Sequence, residues 1–382
     1  LLLSFLILTF TGCSSATSAA GRGADGAATA TAKTPAGDLA SMRGSDPVTT
    51  RDLIPPMLEG EHYSDKYTFE FTLGTAPDTY ELYFSVFITN LGPGQHKAQI
   101  RSRIVTPSGE RLTHSKKLDG GEWTSAADAL SLAIGAYRLS GTPEAMTMHA
   151  QGDDYAFDLR ITPDVAPWRP PQGTITLRSN PQQYFHTVYT APRSHARGTI
   201  TVKGTSIPIE GFGYGIHSVS NIAPYELAWR WLGLRSVRPD YTVFFRQLVT
   251  PEADGKREQA FLIIGGPNGL RFSSDQIRVA LDNFTPDSHP NAYPIPGRVV
   301  LHARSGEGAS QDEAQIIFKA DELRSRSEPL KNLNAFVRMM AEQFTKPVNL
   351  EYFAPFAARV KVDGVWHEFE GRGNYEINFL NK

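Results

Sequence analysis

The stretch GFGYGIHSVSNIAPYELAWRWLGL, residues 211–234, holds the side chains whose types and spacing best fit chemistry on a bound molecule. Tyr214 and His217 lie in it, and a phenol or an imidazole can polarise a substrate or transfer a proton to it. A lone histidine in a strand is also a common structural residue, hydrogen-bonded within the core. His217 is therefore a catalytic candidate with a structural alternative, and Tyr214 is a second catalytic candidate.

Aromatic side chains are concentrated around this stretch and predict an apolar binding pocket among the strands of residues 184–231. A period of two residues places Trp229 and Trp231 on one face of a strand and Arg230 on the other, and either face could line a cavity. Core packing remains the alternative for each aromatic residue taken alone. The predicted ligand-binding residues are Tyr184, Phe185, Tyr214, His217, Asn221, Trp229, Arg230 and Trp231.

Familiar catalytic and cofactor motifs do not occur in the sequence. No two histidines have a metal-ligand spacing, and HEFEG at 367–371 lacks the second histidine of a zinc-binding helix. There is no Gly-x-Ser-x-Gly elbow, and GFGYGI lacks the βαβ surroundings of a dinucleotide site, so its alternating glycines rather indicate a crowded strand crossing. We expect no cofactor and no metal. A net charge of −2, from 38 basic and 40 acidic residues, offers no basic excess for nucleic acid.

Alternation of apolar and polar residues predicts an all-β fold. Strands of this kind that recur with few helices between them are typical of antiparallel sandwiches or barrels, and the length suits two such domains. We place the domains at residues 59–216 and 217–382. The predicted strands and hairpins lie at 67–73, 80–89, 99–107, 146–162, 198–211, 241–250, 260–272, 298–303, 314–320 and 358–371.

One α-helix is predicted near the C-terminus, at LNAFVRMMAEQFTK, residues 333–346. A stripe of apolar residues at helical spacing is typical of core packing, so we expect this helix to lie across the mouth of one barrel. The residues of the stripe are Leu333, Phe336, Val337, Met340 and Phe344.

The N-terminal residues resemble a bacterial export signal that ends in a lipid-attachment cysteine. The apolar run 1–10 is too short to span a bilayer, which takes about 20 residues, and it leads through Thr11 and Gly12 to Cys13, the sole cysteine of the chain. We therefore predict a signal sequence over residues 1–13 and lipidation of Cys13. An internal disulfide is excluded. Residues 14–58 are predicted to form a disordered linker, of which 14–46 is poorest in large apolar residues. The expected location is the cell envelope, on the periplasmic side of the outer membrane.

The segment GTITVKGTSIPIEGFGYGIHSVSNIAPYELAWRWLGLRS resembles the central region of the survival factor 1 (Svf1-like) family. That family belongs to a lipocalin-like group with carotenoid hydratases and AttH proteins. VFFRQLVTPEADGKREQAFLIIGG and LNAFVRMMAEQFTKPVNLEYFAPF extend the resemblance over roughly residues 60–380. It implies two lipocalin-like β-barrel domains, binding or movement of hydrophobic lipids such as ceramide-type sphingolipids, and a link to survival under oxidative stress.

The hydratase branch of this group carries an Asp-His pair followed closely by a tryptophan, to which acid catalysis on an alkene is attributed. His217 matches the histidine, but Ile216 stands where the aspartate would be and Val219 where the tryptophan would be. The resemblance therefore does not supply the carboxylate that hydration would need.

Three functional hypotheses follow from the sequence. The first is a membrane-tethered lipoprotein that binds or carries a hydrophobic lipid or isoprenoid without catalysis. The second is a hydratase, isomerase or cyclase that acts on a polyene or terpenoid in the same pocket, with His217 or Tyr214 polarising it. The third is a surface-displayed β module that recognises protein or glycan, which would expose its aromatic residues.

Overall fold

The computed structural model describes residues 47–380, except 92–93, 171–173, 289–291, 306–311, 333 and 344. The predicted signal sequence, the lipidation site Cys13 and linker residues 14–46 lie outside the described residues, as do Leu333 and Phe344 of the predicted helix.

The first half of the chain forms an antiparallel sheet whose strand order is β4-β3-β2-β1-β12-β11-β9-β8-β7-β6-β5, with β10 paired to β11. A 3-10 helix, Thr50–Leu53, precedes the first strand. The strands are β1 (Ser64–Leu73), β2 (Tyr80–Thr89), β3 (Lys97–Val105), β4 (Arg111–Leu118), β5 (Trp123–Ser125), β6 (Leu130–Ile134), β7 (Tyr137–Thr142), β8 (Ala145–Gln151), β9 (Tyr155–Val165), β10 (Ile175–Thr176), β11 (Tyr184–Val202) and β12 (Thr205–Ser220).

The second half forms a similar sheet with the order β16-β15-β14-β13-β22-β21-β19-β18-β17, with β20 paired to β21. Helices α1 (Pro224–Leu227) and α2 (Ala335–Ala341) and 3-10 helices Glu252–Asp254 and Pro329–Asn332 accompany it. The strands are β13 (Arg230–Val237), β14 (Thr242–Val249), β15 (Glu258–Gly266), β16 (Gly269–Ser274), β17 (Gln276–Pro286), β18 (Pro294–Ser305), β19 (Asp312–Lys319), β20 (Glu322–Ser327), β21 (Val348–Val362) and β22 (Val365–Phe379).

Each sheet curls around its own apolar side chains, so the predicted all-β fold with two antiparallel barrels is confirmed. Alternation with a period of two residues determines which side chains face each core: Phe69 and Phe71 of β1 face one, and Leu232 and Leu234 of β13 face the other. These cores fill the concave sides of the sheets. The described side chains therefore leave no space inside either barrel for the pocket that the sequence predicts among the strands of residues 184–231.

The two sheets pack against each other through β11 and β12 on one side and β14 and β15 on the other. Tyr189, Tyr214, Phe244, Phe261 and Ile263 form one buried cluster at this junction. A second cluster lies beside it and includes residues of α1, α2 and the C-terminal end of β22: Leu177, Phe185, Ile222, Leu227, Ala228, Leu248, Leu330, Ala341 and Leu380.

The alternating glycines of β12 mark a crowded strand crossing, as the sequence indicated. A Cβ atom on Gly213 would lie 2.1 Å from the Glu70 carbonyl oxygen and 2.3 Å from Phe71 Cδ1. One on Gly215 would lie 2.5 Å from Phe69 Cε1. Opposite these glycines the register of β11 shifts on both sides of Ala191, which is the mark of β-bulges.

Replacing Gly213 with alanine is expected to destabilise the fold by about 1–3 kcal/mol, because the backbone of β1 must move to admit the methyl group. The measurement is the free energy of unfolding in urea. Gly233→Ala in β13 is the matched control, since its Cβ would meet only the Phe245 carbonyl oxygen, at 3.6 Å. Equal effects of the two substitutions would show that crowding is not the reason for Gly213.

The predicted linker over 14–58 extends too far, because residues 47–58 contribute to the first barrel. Leu53 is fully buried in its core, and the carbonyl oxygen of Leu53 accepts a 2.8 Å hydrogen bond from the Tyr67 hydroxyl. Asp52 is also buried, and it pairs with Arg169. A short apolar and charged segment can therefore be ordered by tertiary contacts that its composition does not reveal.

The C-terminal helix exists but is shorter than predicted, covering Ala335–Ala341. Phe336 of the predicted packing stripe is 64% exposed, whereas Ala341 packs into the cluster at the junction of the sheets. Phe336 of the predicted stripe therefore does not pack in the core. The predicted domain boundary at 216/217 falls within β12, which continues to Ser220.

Candidate functional site

A cavity of about 150 Å³ lies between the two sheets and is partly open to solvent. Strands β1 and β12 form one wall, and β13, β14 and β22 form the opposite wall. It is lined by Ser64, Lys66, Thr68, Glu70, Tyr83, Phe185, Tyr214, Ile216, Ser218, Val219, Ser220, Ile222, Pro224, Leu227, Trp231, Arg235, Arg246, Glu376, Asn378 and Leu380.

Strand alternation determines which side chains reach this cavity. On β1, Lys66, Thr68 and Glu70 line it, whereas Tyr67 and Phe69 between them point into the first core. On β13, Trp231 and Arg235 line the cavity while the intervening apolar residues face the second core. The outer, more polar faces of both barrels therefore build the site.

One end of the cavity is charged. The Arg235 guanidinium lies 3.3 Å from the Glu70 carboxylate on the first sheet and 3.4 Å from the Glu376 carboxylate on its own sheet. Burial alone would lower the pKa of Arg235, but the two carboxylates outweigh it and raise that pKa well above its ordinary value. This ion pair network joins the two sheets at the floor of the cavity.

A third carboxyl group, Glu351, lies beside this network. It sits directly opposite Glu376 in the pairing of β21 with β22, and Ser325 donates a 3.3 Å hydrogen bond to it. Burial raises the pKa of Glu351, and the negative charge of Glu376 raises it further. Like charges opposite each other in a sheet repel, so this position favours a protonated carboxyl group.

Tyr214 places an unsatisfied hydroxyl group at the charged end. The residue is 3% exposed, and Oη has no hydrogen bond of normal geometry within the described part of the chain. Arg235 lies over the ring, 5.2 Å from its centroid, and Glu70 is the cross-strand neighbour of Tyr214. Burial raises the pKa of Tyr214 well above 10, so the hydroxyl group stays protonated at neutral pH.

The other end of the cavity is apolar and aromatic. Phe185 packs edge-on against Trp231 with ring centroids 5.5 Å apart, and Ile222, Leu227 and Leu380 complete the wall. A site with one apolar end and one polar end matches the make-up of small-molecule pockets, in which a few polar groups orient an otherwise hydrophobic guest.

His217 points away from this cavity, into the end of the first barrel. Its Nδ1 lies 2.6 Å from the Asp52 carbonyl oxygen, its Nε2 lies 2.9 Å from Asp65 Oδ1, and its ring stacks on Tyr67 with centroids 4.1 Å apart. Both ring nitrogens face oxygen acceptors, an arrangement that favours the protonated ring, in which both nitrogens donate. Burial alone would lower the pKa of His217, but Asp65 outweighs it and raises that pKa above 6.5.

A second buried group of charges adjoins this pair. The Asp52 carboxylate pairs with Arg169 and lies 3.5 Å from His186 Nε2, while His186 Nδ1 is 2.8 Å from Thr174 Oγ1. Burial by itself would raise the pKa of Asp52, but the nearby His186 ring, the Thr49 backbone N–H and the charge of Arg169 lower it below its usual value. Burial lowers the pKa of His186.

Of the eight predicted ligand-binding residues, three line the cavity: Phe185, Tyr214 and Trp231. Tyr184 belongs to the first core, and Asn221 binds backbone instead, accepting from Tyr184 N at 2.6 Å and donating to the Gln182 carbonyl oxygen at 2.9 Å.

Trp229 and Arg230 also lie elsewhere. Strand β13 begins at Arg230, one residue after Trp229. The Trp229 ring packs against Phe379 of the second core, with centroids 6.2 Å apart. Arg230 turns to the concave side of the second sheet, where it is 7% exposed and lies 3.3 Å from Gln247 Oε1.

Sequence reasoning missed most of the polar site. Lys66, Thr68 and Glu70 were visible as the polar face of an alternating strand, but such a face is ordinarily solvent-exposed. Asp65 was also missed. It lies 152 residues from His217 in the sequence, and it supplies the carboxylate that no sequence neighbour of His217 provides. No local pattern pairs these positions.

The described residues contain no group of three or more histidine, cysteine, aspartate or glutamate side chains that could hold a metal ion. None of the helices in this part of the chain combines the length and the hydropathy needed to cross a bilayer.

Comparison with known proteins identifies relatives by structure alone. No family model matches the sequence, and no curated protein matches it significantly. CghA in complex with Sch210972 superposes with a TM-score of 0.55 at 12% identity, over 92% of this chain and 97% of that one. Kievitone hydratase from Nectria haematococca superposes with a TM-score of 0.50 at 13% identity, over 88% of this chain and 97% of that one. An AttH protein from Nitrosomonas europaea superposes with a TM-score of 0.50 at 15% identity, over 86% of this chain and 96% of that one.

At these identities the likeness concerns the fold. It extends over nearly the whole of each of these structures. The chain has the lipocalin-like two-barrel fold of AttH, kievitone hydratase and CghA.

Proposed function

We propose that this protein is an enzyme that catalyses a proton-transfer reaction, namely hydration, isomerisation or cyclisation, on a compact hydrophobic molecule bound between the two barrels. The observation that carries the proposal is the unsatisfied Tyr214 hydroxyl beside the Glu70–Arg235–Glu376 network, in a cavity whose other end is apolar. The structural similarity to a hydratase and to CghA is compatible with it.

Each polar group has a chemical role in such a reaction. The protonated Tyr214 hydroxyl would donate a hydrogen bond to a substrate oxygen and stabilise negative charge that develops there. The carboxylates of Glu70 and Glu376 would accept a proton from a substrate carbon or from an attacking water, and Arg235 would hold them in place. In a hydration, one substrate carbon gains that proton and its neighbour gains the hydroxyl group of the water.

Cavity size argues for a compact substrate. Small-molecule pockets commonly measure about 300–1,000 Å³. A partly open cavity of about 150 Å³ can hold a ring system or one end of a chain, but it cannot enclose both chains of a ceramide. The size therefore supports a small guest over a carried sphingolipid.

The first test is to find what the cavity holds and whether it changes. The purified full chain is extracted with organic solvent, any bound compound is identified by mass spectrometry, and the same compound is then added back to fresh protein. Appearance of a hydrated product, or of an isomer of unchanged mass, supports catalysis. A compound that binds and returns unchanged contradicts catalysis and supports a carrier.

Replacing Tyr214 with phenylalanine is expected to lower kcat by about 100-fold or more, since it deletes the hydrogen-bond donor and leaves the ring in place. Product formation by chromatography and mass spectrometry measures the effect. Tyr189→Phe is the matched control, because Tyr189 packs on Phe244 as Tyr214 does but does not line the cavity. An unchanged kcat in Tyr214→Phe would remove Tyr214 from the mechanism.

Two further parts of the proposal, the lipid anchor and the family, rest on the sequence alone. We propose that Cys13 carries a lipid that tethers the protein at the cell envelope, and that the chain is related to the survival factor 1 branch, with its link to oxidative stress. A tethered carrier of a hydrophobic lipid is the second candidate function, and the apolar wall around Trp231 favours it. Labelling with radioactive palmitate, compared between the full chain and Cys13→Ser, tests the anchor.

A further inference from the structure

We infer that the molecule bound in this cavity is a hydrophobic acid whose carboxylate or enolate oxygen pairs with Arg246 and Trp231 Nε1. This inference rests on the proposed binding of a small molecule between the barrels. It adds the chemical class of that molecule, which neither the apolar wall nor the Tyr214 site determines.

Arg246 is the first observation. It projects from β14 into the cavity and also lines a smaller adjoining cavity of about 20 Å³, which shares Phe185 with the first. The residue is half-buried, yet no carboxylate lies within ion-pair distance of it among the described residues. Arg235, two strand positions away on the neighbouring strand, has two carboxylates. Arg246 thus brings to the cavity a charge that no carboxylate of the described residues neutralises.

Trp231 is the second observation. The Arg246 guanidinium lies over its ring, 4.4 Å from the centroid, which fixes both groups in one orientation. The indole Nε1–H of Trp231 is buried and has no hydrogen-bond partner in the part of the chain that the structure describes. An indole nitrogen can only donate, and buried donors are rarely left without an acceptor.

Ser218, Ser220 and Asn378 also line the cavity and can accept as well as donate, but its charged groups without a carboxylate partner among the described residues, Arg246 and Lys66, can only donate. Arg246 offers a planar fork of N–H groups, Trp231 offers one N–H, and Lys66 on the opposite wall adds an ammonium group that makes no ion pair within the described residues. An anionic oxygen group can pair with Arg246 and accept from the neighbouring Trp231, and a planar carboxylate matches the guanidinium fork. A neutral hydrocarbon would leave the donors unsatisfied, and an alcohol oxygen could accept a hydrogen bond but would bring no charge to pair with Arg246. The apolar wall of Phe185, Ile222 and Leu227 would take the hydrophobic part of the same molecule.

Octanoate and 1-octanol form a matched pair of probes, because they share an eight-carbon skeleton and differ in the anionic group. Isothermal titration of the full chain with each is expected to show octanoate binding at least about tenfold more tightly. Arg246→Gln should remove that preference and leave octanol affinity within about threefold of wild type. Arg246→Lys keeps the charge but loses the planar fork of N–H groups, so it should retain only part of the preference for octanoate.

Two further variants make the result decisive. Arg278→Gln changes an exposed arginine of the same sheet and should leave both affinities unchanged. Gly233→Val adds a side chain beside Trp231 and Arg235 on the cavity face, where a Cβ meets only the Phe245 carbonyl oxygen at 3.6 Å. It should block both probes without loss of stability.

The outcomes separate this inference from the proposal on which it rests. Equal affinity for octanoate and octanol, with both blocked by Gly233→Val, would overturn the acid as ligand class and leave the cavity as the binding site. A preference for octanoate that survives Arg246→Gln would overturn the role of Arg246. Binding of neither probe, or binding that Gly233→Val does not affect, would count against both.

Discussion

Replacing Asp65 with alanine is expected to lower the free energy of unfolding by about 3–5 kcal/mol at pH 6.5, the largest loss that we expect from any single site. The Asp65 and His217 side chains are 0% and 1% exposed, and their charged atoms are 2.9 Å apart. Removing the carboxylate leaves an imidazolium in the barrel interior with only the Asp52 carbonyl oxygen as acceptor, so the ring must lose its proton or stay charged without a counter-ion. Urea denaturation measures the loss.

The chain offers a matched control in Asp158→Ala. Asp158 Oδ1 is also 2.9 Å from a histidine nitrogen, His149 Nδ1, but these side chains are 75% and 34% exposed. An exposed pair of the same geometry is expected to contribute at most about 1 kcal/mol. Similar losses in the two variants would show that burial does not set the strength of the Asp65–His217 pair.

The pH dependence of the Asp65 effect follows from the raised pKa of His217. A histidine whose pKa is higher in the folded than in the unfolded state adds stability that is fully present below pH 6.5 and is lost as the pH rises through the folded pKa. The difference between wild type and Asp65→Ala should therefore be largest near pH 6 and narrow in alkaline solution. A difference that grew with pH would mean that His217 is neutral in the folded protein.

Arg235→Met is expected to destabilise the protein by about 3 kcal/mol at pH 8, the lower end of the range for a broken buried ion pair. The lower end applies because the Glu70 and Glu376 side chains keep 26% and 27% of their surface exposed. Without the guanidinium, both carboxylates face each other and Glu351 across a half-buried site. Thermal and urea unfolding measure the loss.

Acid should partly rescue this variant. Burial and Glu376 already raise the pKa of Glu351, and a carboxyl group whose pKa is raised on folding adds stability at low pH that is lost as the pH rises through the folded pKa. Protonation of Glu351 as the pH falls removes its repulsion of Glu376, so the loss should be smaller at pH 5 than at pH 8. Arg298→Met is the matched control, since its 2.6 Å pair with Asp282 is more exposed and should contribute at most about 1 kcal/mol. A loss independent of pH would point to packing instead of charge.

The position of the binding site has a structural explanation. A barrel that fills its interior with phenylalanine and tyrosine gains stability from that burial but leaves no room for a guest. The junction of two barrels is different, because two convex surfaces cannot close against each other everywhere. The gap that remains is lined by outer-face residues, which explains why charged groups such as Glu70 and Arg235 dominate one of its ends.

The sequence by itself determined the class of this fold. Period-two alternation in segments such as 67–73 and 80–89 identified strands, and the near absence of helical spacing excluded a parallel sheet. The alternating glycines of 211–215 were also interpreted correctly, because close contact of backbones restricts a position to glycine wherever it lies. Both are local properties: neither depends on which strand is the neighbour.

Only the tertiary structure decided which residues meet. His217 receives its carboxylate from Asp65 on β1, Arg235 bridges to Glu70 on the other barrel, and Trp229 turns to a core while Trp231 turns to the cavity. Alternation assigns a side chain to one of two faces, but the partner of that face depends on sheet closure, register and the packing of the barrels. These are set by contacts between residues more than 150 positions apart, such as Asp65 and His217, and no local pattern encodes them.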